Sequence, residues 1–357
     1  LGALDLEVLT ALRLGVYQML WLDRIPAHAA VDQSVRLAKK AKGRGAGGFV
    51  NGVLRNVIRK RDSIPSDDPS WSLGMRTSMP DELAGELTER FGDVLGARVA
   101  QAFTTRAPLF VRTAAPWDGL VAVEGVPGAF RAPRWSKELE EALASGRAAV
   151  QDLGAQLIGW YTGAKTGQRV LDGCAGLGGK TLHLAEMVGE PVWAVEPRES
   201  KRALLEQGAK VRGRTVHVLA GGLEGATREL EPASFDVVLL DVPCTGLGVL
   251  RRHPETRWRR TLGDVPALVQ LQRELLEVGR RLVAPGGSLV YSVCTFTRAE
   301  GPRQMEEFLA AHPEFSRAGA PELEALEGYV DARGDLVVDP ARHDTDAFYA
   351  ARLVRAS

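Results

Sequence analysis

The chain has 357 residues, enough for two or three domains each with its own core. Forty-five Lys and Arg balance 45 Asp and Glu, so bulk charge points neither toward nucleic acid nor away from it. No apolar run approaches the roughly 20 residues of a membrane span, no secretory leader is visible, and three cysteines make no disulfide framework and no metal-ligand spacing, which together predict a reducing, cytoplasmic setting.

In chain order, residues 1–62 read as helical. Apolar residues crowd 4–22. A second helix opens at Pro26 and runs to about Lys42, where glycines end it. Over 48–60, Phe49, Val50, Val53, Leu54, Val57 and Ile58 recur at a helical period, with Arg55, Asn56, Arg59 and Lys60 opposite. The stretch 33–61 holds nine basic residues and no acidic one. A second cluster, Arg251, Arg252, Arg257, Arg259 and Arg260, is diluted only by Glu255. Such clusters attract phosphate, and a solvated helix face accounts for either one equally well. Residues 62–69 read as a linker. Two short helices are expected over 81–103, then short strands and turns to about 135, forming a small connecting module.

From about residue 148 the pattern changes to strands alternating with helices. Short β-branched or apolar runs at 168–172, 192–196, 215–220, 235–241 and 288–293 predict a parallel, doubly wound sheet, and 347–354 a closing antiparallel strand.

The segment from Val170 to Thr181 runs from a strand through a glycine-rich turn into a helix. Cys174, Ala175, Gly176, Leu177, Gly178, Gly179 and Lys180 form a loop whose backbone can approach a ligand closely. It is not a Walker loop, because Cys174 stands where the first Gly would be. Glu196 ends the next strand, where an acid can accept both hydroxyls of a ribose. That acid fits S-adenosylmethionine (SAM) and a dinucleotide alike, and capping the following helix is its other use. Downstream, Asp241-Val-Pro-Cys244 and Tyr291-Ser-Val-Cys294 each end a strand with a thiol. Paired thiols beside a carboxylate at the rim of a crevice suit covalent catalysis, which needs a thiolate. Cys174, inside the loop, reads as inert packing.

These residues resemble the RsmB/Sun family of bacterial 16S ribosomal RNA cytosine-C5 methyltransferases over nearly the whole chain. The segment from Asp241 to Trp258 is similar to the family's Asp-Ala-Pro-Cys stretch with its Arg-His-Pro extension. Residues 174–180 look like its Cys-Ala-Ala-Pro-Gly-Gly-Lys SAM loop, Gln151-Asp152 like the motif before it, and Pro285-Gly-Gly with Cys294 like its last catalytic motif. Residues 22–40 and 47–60 resemble its NusB-type RNA-binding domain, which is longer, so its first helices are expected to be absent here.

The resemblance implies Cys294 as the nucleophile attacking cytosine C6 and Cys244 as the residue that aids product release. It implies SAM contacts from 174–180, Glu196, Gly222 and Asp241, with Lys180 projecting into the site. The partner implied is 16S rRNA or a small-subunit assembly intermediate, with the protein a monomer. The fold expected is multidomain: an all-α NusB-like domain at 1–65, a small α+β module at 66–147, and a Rossmann-like class I methyltransferase with a mixed seven-stranded sheet at 148–357. Three positions depart from the family pattern. Gly222 stands for an Asp that contacts adenosine, a contact that is lost or supplied by Glu224; Val293 stands for a Thr, and Leu177 for a Pro. The first departure leaves open an RNA-binding protein with a degenerate methyltransferase half.

Overall fold

The computed structural model describes residues 4–63, 68, 70–189 and 191–357, so the linker expected at 62–69 lies largely outside the described residues. The chain divides into two compact units, Leu1–Trp71 and Ser72–Ser357.

In the first unit α1 (Leu6–Trp21) packs against α2 (Ala27–Arg59). The second helix is two arms broken at Gly43, whose φ of 83° and ψ of −174° are open in practice only to glycine. The break expected near Lys42 is therefore present, and helix resumes directly after it. One arm buries Ala30, Val31, Ser34 and Ala38, the other Gly47, Val50 and Leu54. Both arms meet α1, because a Cβ on Gly15 would lie 2.7 Å from Leu54 Cδ1 and from Ser34 Oγ. Phe49 and Ile58 of the predicted apolar stripe stay exposed, since a single neighbouring helix covers only a narrow strip.

The second unit begins with three helices, α3 (Leu73–Thr77), α4 (Asp81–Phe91) and α5 (Asp93–Ala102). Then come β1 (Leu109–Thr113), β2 (Val121–Ala122), β3 (Ala129–Ala132), α6 (Lys137–Ala144) and β4 (Ala148–Val150). The four strands form an antiparallel sheet in the order β2-β3-β1-β4, so the module's sheet takes its last strand from residues beyond 147. Helix α6 was not expected; its signal is the Ser136 cap, whose Oγ accepts from Leu139 N.

The remainder alternates as predicted: α7 (Leu153–Tyr161), β5 (Val170–Asp172), α8 (Gly179–Val188), β6 (Val192–Glu196), α9 (Glu199–Val211), β7 (Val216–Ala220), α10 (Leu223–Ala226), β8 (Phe235–Asp241), α11 (Thr256–Arg259), α12 (Val265–Leu282) and β9 (Val283–Val293). It closes with α13 (Pro302–Ala311), β10 (Phe315–Arg317), β11 (Leu336–Val338) and β12 (Phe348–Arg355). The order is β7-β6-β5-β8-β9-β12-β10, with β11 also on β12. The sheet therefore has eight strands rather than seven. Two short strands, β10 and β11, divide the outer edge of β12 between them.

From β7 to β9 all strands are parallel, and β12 is antiparallel. They are near-continuous apolar runs because helices cover both faces. In β8, Val237 and Leu239 enter one core while Val238 and Leu240 enter the other. Chain order reverses between β5 and β8, and in open α/β sheets such a switch point is where ligands bind, outside the carboxyl ends of the strands. Among the described residues no helix is long and apolar enough to cross a membrane.

Leu54 is fully buried in the small core between α1 and α2. Leu54→Ala should cost about 3 kcal/mol, read as an earlier helical unfolding transition by circular dichroism in urea.

Candidate active site

The site is assembled by the pairing of β8 with β9. Asp241 stands opposite Ser292, and Val242 N donates to Ser292 O at 3.1 Å. Each strand then turns out within three residues, which brings Cys244 Sγ to 3.3 Å from Cys294 Sγ. Gly248 N donates to Cys294 O at 2.9 Å, and Gly248 O accepts from Ala347 N at 2.9 Å. A Cβ at 248 would fall 2.8 Å from the Cys294 carbonyl and closer still to Ala347 O, so only glycine lets the three segments meet.

Beneath the thiols lies Glu300, fully buried. It accepts from Thr245 N (2.8 Å), Thr245 Oγ1 (2.7 Å), Thr297 Oγ1 (2.8 Å) and Gln272 Nε2 (3.1 Å). Gln272 Nε2 also reaches Pro243 O, and Tyr291 OH donates to Glu300 O at 2.6 Å. Thr245 and Thr295, the residues after the two thiols, share a hydroxyl–hydroxyl bond of 2.8 Å. This network was not anticipated. Its trace in the sequence is the Cys-Thr pair occurring twice, at 244–245 and 294–295.

Lys180, from the first turn of α8, gives Nζ to Asp241 Oδ2 at 2.6 Å and lies 5.4 Å from the centre of the Phe348 ring. The other Asp241 oxygen accepts from Ser292 Oγ at 2.7 Å. Burial works against the Lys180 charge, but Asp241 and Cys294 outweigh it and raise its pKa. The structure thus brings together all four predicted catalytic residues. The Cys244 thiol is pushed well above its ordinary range by its hydrogen bond to Cys294, by burial and by the Glu300 charge. In the bond between the two sulfurs either thiol can be the donor.

On the other side of the switch point, residues 173–178 form the loop from β5 to α8. Asp172 ties it down, accepting from Cys174 N at 3.2 Å and Thr181 Oγ1 at 2.7 Å. Burial pushes the Asp172 carboxyl up to about 6, against the Thr181 bond and with the Asp241 charge. The Cys174 thiol is raised by burial, so it stays neutral and packs against the core. The amides of Gly179 and Lys180 open α8 and have no intrahelical acceptor. Glu196, 4% exposed, binds Arg198 N through Oε1 and leaves Oε2 without a hydrogen-bond partner among the described residues. Gly222 precedes α10, whose exposed Glu224 follows the end of β7. A loop of open amides with a half-used buried carboxylate on the neighbouring strand fits the methionyl and ribose ends of SAM.

The two basic clusters diverge. In the first, Lys39, Lys40, Arg44, Arg55, Arg59, Lys60 and Arg61 are exposed on α2 and just beyond it. The second is largely consumed inside the fold, which corrects the expectation of a phosphate-binding patch there. Arg251 Nη1 binds Asp344 Oδ1 (2.9 Å), and Arg252 binds both Asp152 and Asp346 (2.8 Å each). Arg257, 5% exposed, donates to the carbonyls of Thr77, Ser78, Phe103 and Leu250. These bonds, with Leu247 and Leu250 packed among Leu83, Leu87 and Phe103, clamp the Cys244 loop to α3–α5. Only Arg259 and Arg260 remain exposed.

Residues 162–354 match the family model for 16S rRNA methyltransferase RsmB/F, and residues 1–59 that of the NusB family. The chain is 36% identical to ribosomal RNA small subunit methyltransferase B of Thermus thermophilus, with 98% of this chain and 81% of the relative aligned. It is 32% identical to the protein of the same name in Vibrio cholerae, over 88% of this chain and 78% of that one. Among solved structures, that of PH0851 superposes with a TM-score of 0.79 at 26% identity, covering 98% of this chain and 82% of that one.

Glu300→Ala strands four buried donors and should cost about 3–5 kcal/mol, read from the urea midpoint. Asp172 has a folded pKa above its unfolded one, so its contribution to stability is present below pH 4 and lost as pH rises through about 6. Asp172→Asn should therefore gain on the parent as pH rises from 4 to 6, by on the order of 3 kcal/mol at most, and level off above; paired urea titrations across that range check it.

Proposed function

Since this chain belongs to the RsmB/F family of 16S rRNA methyltransferases, SAM-dependent enzymes acting on RNA, we propose that it methylates C5 of a cytosine in 16S rRNA through a covalent bond between Cys294 and C6. The observation that carries this reading is the pair of thiols 3.3 Å apart beside the Lys180–Asp241 ion pair.

C5 of cytosine is a weak nucleophile. Addition of a thiolate at C6 turns the ring into an enamine with electron density at C5. The family resemblance assigns that attack to Cys294, with Cys244 hydrogen-bonded beside it. Lys180 stands close enough to stabilise a thiolate at 294. Asp241, fixed by Lys180 and Ser292, is assigned to the N3 side of the ring, where a carboxyl group favours the protonated base during addition. Residues 174–180, Glu196 and the 221–224 turn would hold SAM, which when bound would supply an electrophilic methyl group to C5, the S–CH3 bond breaking and the neutral thioether S-adenosylhomocysteine leaving. A base then removes the C5 proton, C5–C6 regains its double bond, and the Cys294 thiolate leaves; Cys244 aids this release. The target base must be flipped out or single-stranded, because C6 is unreachable within a stack. The exposed cations of α2 are assigned to the RNA backbone, where they give affinity and position rather than base choice.

Cys294→Ala should reduce methyl transfer by on the order of a thousandfold or more while SAM binding by calorimetry is kept. Cys244→Ala should accumulate an RNA–protein adduct, seen as a retarded band on a denaturing gel. An adduct formed by Cys294→Ala instead would reverse the two roles. Bisulfite sequencing of rRNA from cells lacking the protein should reveal one cytosine that has lost protection, and an unchanged pattern would refute the cytosine assignment.

A further inference from the structure

The proposed chemistry has no use for a group of arginines on the far side of the cofactor loop. A cavity of about 390 Å³ lies between β1, β4, α8 and the end of α9, and its walls include Arg112, Arg147, Arg212, Arg214 and Glu186. A second cavity of about 280 Å³ shares Arg112 and Arg212 and extends to Leu177 and Gly179 of the cofactor loop. Four guanidinium groups thus face one carboxylate.

That carboxylate is already divided. Both terminal nitrogens of Arg112 donate to Glu186, and Arg212 Nε lies 3.6 Å from its Oε1. Arg212 also donates to Ala148 O at 3.0 Å, which fixes it in the cavity wall. Arg112 is 7% exposed, and burial together with the Arg212 charge pushes its pKa down to about 9. Arg147, whose Nε lies 3.3 Å from Ser145 Oγ, and Arg214, whose guanidinium has no hydrogen-bond or ion-pair partner among the described residues, stand exposed at the mouth. Positive charge packed this densely, with fixed planar forks and too little counter-charge, is relieved by an anion that accepts several N–H donors at once. One further link ties the cavity to the site. Arg112 Nε donates to Gln151 Oε1 at 2.9 Å, and Gln151 Nε2 donates to Gly179 O, at the start of α8, at 3.3 Å.

We propose that this arginine-walled cleft is a phosphate-binding site. Its phosphate comes from the backbone of the RNA substrate, an assignment that rests on the function proposed above, or from phosphate free in solution. The test compares the full chain with the double variant Arg147→Ala/Arg214→Ala, which leaves the Arg112–Glu186–Arg212 wall intact. In the first arm, binding of a 16S rRNA fragment is measured at several salt concentrations. RNA as the source predicts several-fold weaker binding by the variant and a salt slope shallower by about 1, as one or two phosphate contacts are lost. In the second arm, thermal unfolding is followed with inorganic phosphate against chloride at equal ionic strength. Free phosphate as the source predicts a raised Tm in the parent, no such rise in the variant, and unchanged RNA binding. No difference between parent and variant in either arm overturns the proposal. Methyl transfer by the parent to the same fragment is measured alongside. If the parent methylates and neither arm responds, the cleft fails alone; if it does not methylate, the RNA reading fails and the phosphate arm still decides the cleft.

Discussion

The site depends on the parallel register of β8 against β9. With Asp241 opposite Ser292, two segments about 50 residues apart leave the sheet side by side, and each places a thiol just past the sheet edge. A slip of β8 by one residue would turn Asp241 to the other face and a slip of β9 would turn Ser292, and either would separate the Lys180–Asp241–Ser292 chain and the sulfur pair together. The register is held by the cores on both faces of β8 and by the close approach of Gly248 to Cys294 and Ala347.

Around that register the protein uses buried polar groups as fasteners. Glu300 spans the two cysteine loops, and Arg257 joins the first of them to the helices α3–α5. Asp152, which caps α7 through Gly154 N, also receives Arg252 and Thr345. Buried charges carry a desolvation cost that only full satisfaction offsets, and such networks fix one geometry more than they add stability. That trade suits a site in which two sulfurs must stand in van der Waals contact without a covalent bond between them.

The same economy explains the fate of the two basic clusters. On α2 the cations sit on a helix whose other side meets a single partner, and most of them remain in water. In 251–260 the chain runs between the helices α3–α5 and the carboxylates at 152, 344 and 346, so arginine becomes the residue that neutralises carbonyls and acids inside the fold. Both stretches are rich in basic residues along the chain. Only the surroundings separate an exposed patch from an internal clamp.

Much was legible in the sequence because it is written in local pattern. Short runs of five to seven residues between helical stretches marked five parallel strands, and the glycine loop after Asp172 marked the candidate cofactor turn. Asp241-Val-Pro-Cys and the strand ending at Cys294 placed both thiols at strand ends, since a strand's end is encoded by its own residues. Less legible were α6, the division of the outer sheet edge between β10 and β11, and the exposure of Phe49 and Ile58. The sequence by itself determined the fold class, the family and the residue types of the candidate site, because periodicity and motif are properties of neighbours along the chain. The sulfur–sulfur distance, the Glu300 network and the arginine cleft were decided by the tertiary structure alone, because each joins residues tens of positions apart through burial and register, which no local pattern contains.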